Sequence, residues 1–436
     1  MATWIKGGVL VDPVRGLAEE RDVIIDERGR IERILPRGGW RDTGPRLKII
    51  DASGKVTIPG LIDMHVHLRE PGHEHKETIL TGSRAGVAGG FTALACMPNT
   101  DPVNDNGSVT AFILRRAREA DLLTVYPVAA ITSGQKGESL TDFGHLREAG
   151  AVGVSDDGRP VSDREVMRRA LEYAHSHGLA VISHCEDLGL SAGGVMHEGD
   201  ISARMGVKGI PAASEEVMVQ RDISLAKLTG CPLHIAHVST AGSVALIKRA
   251  KEEGIRVTAE TAPHYFSLDH RAVIGYNTNA KMNPPLRTSE DVEAIKKGLF
   301  EDVIDVIATD HAPHSLLEKE VAFEEAPFGI IGLETALPLT LALVREGVLT
   351  LLSAIRKLSS SPATILGVAG GVLDEGKPAD LAIMDTEWEF VLEAAQIQSK
   401  SKNSPFIGKR LKGKNTLTMR GGRIVWERDT EYPGCL

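Results

Sequence analysis

The sequence predicts an α/β protein: a (β/α)8 TIM-like barrel with a small β-sandwich domain formed by its N- and C-terminal segments. Three observations predict it. Eight apolar runs alternate with helical stretches through the middle of the chain. Histidine and aspartate recur at the C-terminal ends of five of those runs, the end at which barrels of this kind do their chemistry. Hairpin signals sit at both ends of the chain.

The elements follow in order. Near the N-terminus, Val23-Ile24-Ile25-Asp26, a turn at Glu27-Arg28-Gly29-Arg30 and Ile31-Glu32-Arg33-Ile34 read as a hairpin. The C-terminus answers with a strand at 380–385 and a second hairpin, Leu417-Thr418-Met419-Arg420-Gly421-Gly422-Arg423-Ile424-Val425-Trp426. The two ends are expected to pair, as neighbouring termini often do. The domain division is therefore 1–57 with 370–436 for the composite β-sandwich, and 58–369 for the barrel. The barrel runs are 58–67, 90–97, 122–131, 151–155, 179–184, 233–238, 256–261 and 303–309. Helices are predicted between them, among them 163–177, capped by Asp163, and 214–228, with Ser214 as a weaker cap. Alternation of this kind argues a parallel sheet wrapped by helices.

Composition narrows the function class. The chain has 436 residues, 42% hydrophobic and 25% charged, as in a globular protein. Its 45 glycines suit many tight connections. A net charge of −9 without a long basic run speaks against nucleic acid. No apolar stretch is long enough to span a membrane, and the first residues lack the apolar core of a signal peptide. Cys96, Cys185, Cys231 and Cys435 are scattered. That usage fits a reducing, cytoplasmic setting better than a disulfide scaffold.

The chemistry starts at Asp63-Met64-His65-Val66-His67. Residues i and i+2 of a strand share a face, so two imidazoles can converge on one point. A lone His-x-His is a weak signal. Here run four ends in Asp156-Asp157, run five in His184, run six in His237 and run eight in Asp310. Imidazole nitrogens and carboxylate oxygens at one end of a barrel suit a zinc-type site. Parity alone leaves Asp156 and Asp157 equivalent candidates. Other histidines take plainer readings. His234, three residues before His237, is placed on the opposite face; His175 and His177 close a helix beside Gly178; His73 and His75 lie in a polar loop. Cys185 reads as a packed thiol.

The runs Asp63-Met64-His65-Val66-His67-Leu68-Arg69-Glu70-Pro71-Gly72, Met97-Pro98-Asn99-Thr100, Ser155-Asp156-Asp157-Gly158 and Ala308-Thr309-Asp310-His311-Ala312-Pro313-His314 closely resemble the dihydroorotases of the class I bacterial type, in the metal-dependent amidohydrolase superfamily. The likeness covers nearly the whole chain. It implies reversible hydrolysis of dihydroorotate to N-carbamoyl-aspartate in pyrimidine biosynthesis. It implies His65, His67, Asp157, His184, His237 and Asp310 as metal ligands, choosing Asp157 over its neighbour. Zinc is the implied cofactor, one or two ions per subunit, with two the expectation. Hydantoinases and dihydropyrimidinases carry a carboxylated lysine where Asp157 stands, and no lysine occurs in 151–158. Substrate contacts are implied at His67, Arg69, Asn99, Asn283, His314, Phe328 and Gly329. Arg69 is the reader of the substrate carboxylate, since a guanidinium fork fits it bidentately.

In the implied mechanism a metal-activated water attacks the ring amide, with Asp310 as general base and then general acid. The charged stretch 315–327 is expected to act as a lid. The rival readings are another cyclic amidase acting on hydantoin, dihydropyrimidine or allantoin, an inactive scaffold for aspartate transcarbamoylase, and a deaminase on the same barrel. Arg69 and the missing lysine oppose the first, and the complete ligand set opposes the second. The expected assembly is a homodimer, and association with aspartate transcarbamoylase is compatible with activity.

Overall fold

The computed structural model describes residues 2–40 and 47–428; Cys435 lies outside them. The alternation reads out as an eight-stranded parallel barrel. Its strands are, in order, Leu61–Val66, Phe91–Cys96, Thr124–Ala129, Gly153–Val154, Ala180–Ser183, Leu233–Ile235, Val257–Thr261 and Val306–Ile307. The seam between the last and the first is stitched beyond the regular ladder. His67 N–H donates to His311 O at 2.9 Å, and the buried Asp63 carboxylate accepts from Thr309 N–H at 3.2 Å.

Met64, Ala95, Val128, Ile182, Ala236 and Val306 fill the barrel's interior. Side chains from six strands thus make a packed core rather than a channel, as volume filling requires. The helices outside start where small polar residues can bind the free N–H groups of the first turn. Asp163 accepts from Glu165 and Val166 N–H ahead of Arg164–Ser176. The helix Ala213–Thr229 begins after Ala212 instead, so Ser214 lies inside it and caps nothing.

The terminal segments build a nine-stranded sheet. Val56–Pro59 pairs in parallel with Val9–Asp12 and antiparallel with Leu381–Val391, joining the two ends of the chain. The sheet folds back over one core, since Ile5, Val23 and Ile25 pack with Leu381, Ile383 and Met419. Both expected hairpins form, Leu17–Ile25 with Ile31–Pro36 and Arg410–Arg420 with Arg423–Glu427. The run 58–67, read from sequence as one strand, divides between the two sheets. Gly60 is the pivot: a Cβ there would lie 2.1 Å from Thr92 Oγ1, so a side chain would force the barrel strand away from its neighbour.

Candidate active site

His65, His67, Asp157, His184, His237 and Asp310 come together at the C-terminal mouth of the barrel, all buried. The delivery of each is local. The first strand shifts register between Asp63 and Val66, and such irregularities re-aim side chains. Met64 accordingly joins the interior core while His65 still turns into the site. His237 and Asp310 lie just past their strands with φ of 34° and 47°, and Arg69 has φ 62°. Left-handed backbone at non-glycine residues costs about 1–3 kcal/mol and clusters at functional sites. Asp156 and Asp157 part company here. Asp156 binds Ile131 and Thr132 N–H at 2.8 and 3.1 Å and serves the loop, while Asp157 faces the imidazoles.

The spacing within the cluster is that of ligands around a cation. Asp157 Oδ1 lies 3.3 Å from His65 Nε2, 3.4 Å from His237 Nε2 and 3.5 Å from His184 Nδ1. Asp157 Oδ2 lies 3.4 Å from His67 Nε2. Asp310 Oδ1 is 3.1 Å from His67 Nε2 and 3.6 Å from His65 Nε2. Tetrahedral zinc with bonds of roughly 2.0–2.1 Å sets its ligand atoms about 3.3 Å apart. His65 Nε2 and Asp157 Oδ1 are buried without a hydrogen-bond partner. Two orphaned polar atoms facing each other are costly unless something binds both. The donor set therefore fits a metal.

Electrostatics say the same. Burial alone pushes carboxyls up and imidazoles down. Here it is outweighed: Asp157 is held well below the usual carboxylate range by His65, His184 and His237. His65 is raised well above the ordinary imidazole value by Asp157, Glu260 and Asp310. His184 is raised to about 10, against burial, by Asp157 and Glu186. Without a cation His65 and His184 hold their protons.

Beside it lies a cavity of about 330 Å3, lined by Arg69, Asn99, Asn283, His314 and Phe328 among others. Arg69 is anchored by Nε donating to Pro313 O at 3.2 Å, and its Nη2 lies 3.3 Å from His314 Nε2. Burial lowers its pKa to about 10 against the pull of Asp310 and Asp157, so it stays cationic. The plainer reading of Arg69, a salt bridge with Glu70, does not apply; Glu70 instead accepts from Arg116 at 2.6 Å. Burial and the cations Arg69, Lys76 and Lys319 push His314 far down and keep it neutral. Asn99 Oδ1 accepts from His67 Nδ1 at 2.8 Å, which leaves Nε2 aimed at the cluster. Gly329 stands behind the wall, where a Cβ would meet Ala312 O at 2.6 Å.

The stretch 315–327 borders this cavity through Pro327 and contains the short helix Leu316–Lys319. It is anchored rather than loose: Lys319 Nζ donates to Thr278 O and Pro327 O at 3.0 and 2.7 Å, and Lys281 Nζ to Phe323 O at 2.6 Å.

His234 departs from the parity argument. It sits inside the barrel, paired with the inward Ile182, and bonds Glu260. Alternation fails because the strand ends at Ile235, and His237 lies beyond it in a left-handed turn. His175 closes its helix, His177 caps it, and Cys185 is a buried free thiol. Sequence reasoning missed Glu260, which binds His65 Nδ1 at 2.5 Å, and Glu186, which binds His184 Nε2 at 2.9 Å and Asn283 Nδ2 at 3.0 Å. A glutamate inside the apolar run 256–261 was the available signal, since buried acids are rarely left unpaired.

Residues 54–243 match the family described as Dihydro-orotase-like. The chain is 53% identical over 428 residues to a dihydroorotase from Geobacter metallireducens, covering 98% of this chain and 100% of that one. It is 54% identical to a dihydroorotase from Pelotomaculum thermopropionicum, covering 98% and 99%. Among solved structures it is similar to an L-hydantoinase (dihydropyrimidinase) from Arthrobacter aurescens, with a TM-score of 0.87, 26% identity and coverage of 98% and 96%. A dihydropyrimidinase from Brevibacillus agri shares the fold, at a TM-score of 0.84 and 22% identity over 98% of this chain and 95% of that one. The barrel is common to these structures and settles architecture alone. Identity of 53% along almost the whole chain is a far narrower likeness, and on it the chain belongs to the dihydroorotase family.

Proposed function

We propose that the protein hydrolyses dihydroorotate reversibly to N-carbamoyl-L-aspartate, with zinc held by His65, His67, Asp157, His184, His237 and Asp310. The observation that carries this reading is the cavity's pairing of the His–Asp cluster with Arg69, a half-buried cation beside a neutral His314. A ring that bears a carboxylate next to a cyclic amide satisfies both halves. Two ions are the favoured count. Six side chains would hold the metal, more than the four donors one tetrahedral zinc takes.

Bound zinc would polarise the ring carbonyl and bring a water's deprotonation near neutral pH. The chain's own residues do the rest. Arg69 binds the substrate carboxylate through its guanidinium fork, and His314, Asn99, Asn283 and the wall at Phe328 and Gly329 hold the ring in attack position. Asn99 fixes the tautomer of His67. Asp310, held on left-handed backbone at the barrel mouth, takes the water's proton and returns it to the leaving ring nitrogen.

The test is ring opening of dihydroorotate, hydantoin, dihydrouracil and allantoin by the zinc-loaded protein. Turnover of dihydroorotate alone supports the reading, and turnover of only the uncharged rings overturns the role of Arg69. The reading extends to a cytoplasmic homodimer, consistent with three buried free thiols and the prevalence of two-fold assemblies. Sedimentation of the loaded protein measures the assembly.

A further inference from the structure

Each ring that faces the cluster needs its other nitrogen occupied, because that partner decides which nitrogen keeps its lone pair. For His67 the partner is a neutral amide, Asn99. For His65 it is Glu260, on the strand Val257–Thr261, 1% exposed. Its Oε1 accepts from His65 Nδ1 at 2.5 Å. Its Oε2 lies 3.3 Å from His234 Nε2, and His234 Nδ1 lies 2.8 Å from Thr258 Oγ1. One assignment of protons satisfies every group. His65 donates through Nδ1 and keeps Nε2 for the cluster; His234 donates through Nε2 and accepts the Thr258 hydroxyl through Nδ1. A buried glutamate placed between two imidazoles has no conformational freedom left, and neither ring can flip without orphaning a partner.

We propose that Glu260 and His234 form a positioning pair that locks His65 in its metal-binding tautomer and, through the glutamate's negative charge, raises the affinity of the site for zinc. This rests on the metal-dependent reading above and adds residues that touch neither substrate nor metal. The chain of bonds runs from the site through the barrel interior. At its far end His234 lines a second cavity of about 460 Å3 with Leu233, Arg256 and Thr258. Zinc affinity is thereby set from the side of the barrel away from the substrate.

The experiment is zinc binding by chelator competition on the full-length protein, with the unaltered chain beside Glu260→Gln and His234→Leu. Glu260→Gln keeps the volume and removes the charge. Loss of such an outer partner weakens metal binding about 10–100-fold, and that is the expected result. His234→Leu leaves the carboxylate but removes its second anchor, so a smaller loss in the same direction is expected. KM for dihydroorotate at saturating zinc should stay unchanged in both, which a general loosening of the site would not allow. Zinc binding within twofold of the unaltered chain in both variants overturns the pairing. Should Glu260→Gln fail to fold, His234→Leu decides on the same criterion. An unaltered chain that binds no zinc sinks the metal reading itself, which keeps the two failures apart.

Discussion

At the scale of single residues, the site works through groups whose charge the surroundings dictate. Arg69 is expected to contribute two charge-assisted hydrogen bonds to the substrate carboxylate, each about 1.5–3 kcal/mol. Arg69→Ala should therefore lower kcat/KM for dihydroorotate by at least about 100-fold with zinc content unchanged. Steady-state kinetics with metal analysis checks it, and an Arg69→Lys variant that fails to restore most of the loss would show that the fork matters and not only the charge. Protonation supplies a second prediction. In the metal-free chain His65 and His184 carry raised pKa values, His184 about 10, with burial opposed by Asp157 and their glutamates. Zinc must displace those protons, so its affinity should fall as pH falls through the neutral range. Calorimetric titration in two buffers of different ionisation enthalpy measures the protons released. The linkage sign is that of a raised base. His184 stabilises the metal-free fold fully below about pH 6.5, its unfolded value, and that contribution disappears as pH rises towards 10. The zinc-loaded protein should not show this slope. That these histidines and aspartates meet at one end of the barrel was legible because period-two spacing and strand ends are written in the chain. His234 and Glu260 were not, because their meaning lies in a contact between different strands.

At the scale of elements, each of the eight runs was legible as a strand, for apolar continuity marks a buried parallel strand, but the ends were not, since 233–238 stops at Ile235 and 303–309 holds only Val306–Ile307. The turn of the first run at Gly60 was not. Nothing in a run of apolar residues says that its first half pairs with a strand more than three hundred positions away, as Ile58 does with Ala382. The stretch 315–327 shows the same limit. Its charged residues suggested a free lid, yet Lys319 is 3% exposed and holds Thr278 O and Pro327 O. A cation used as a backbone clamp cannot be told from a solvated one by composition. Lys319→Met removes both donors and leaves two buried carbonyls, at about 1–3 kcal/mol each. Since Pro327 and Phe328 line the cavity, the expected outcome is a lower urea midpoint together with a higher KM for dihydroorotate. Unchanged KM with lowered stability would confine the clamp to a structural role.

At the scale of the molecule, the barrel and the terminal sheet depend on each other. The segment between Leu381–Val391 and Arg410–Arg420 leaves the terminal sheet and runs to the barrel mouth. Ser399 Oγ donates to Glu77, which also faces His311. Asn403 does more. Its Nδ2 donates to Ala312 O at 2.9 Å and Gly329 O at 3.0 Å, and its Oδ1 accepts from His314 N–H at 3.0 Å. One buried amide thus ties together the two loops that carry His314 and Gly329, and it comes from a segment that leaves the terminal sheet. Asn403→Ala would orphan three backbone groups that no water-sized rearrangement of a packed loop can easily satisfy. The expected result is a rise in KM for dihydroorotate of tenfold or more, about 1.4 kcal/mol, with zinc affinity intact because no ligand is held by Asn403. Asn403→Asp keeps the acceptor for His314 N–H but loses both donors, so it should fall between the two. An Asn403→Ala enzyme with unaltered KM would mean that the barrel positions its substrate loops unaided, and that the terminal sheet is an attachment rather than part of the site.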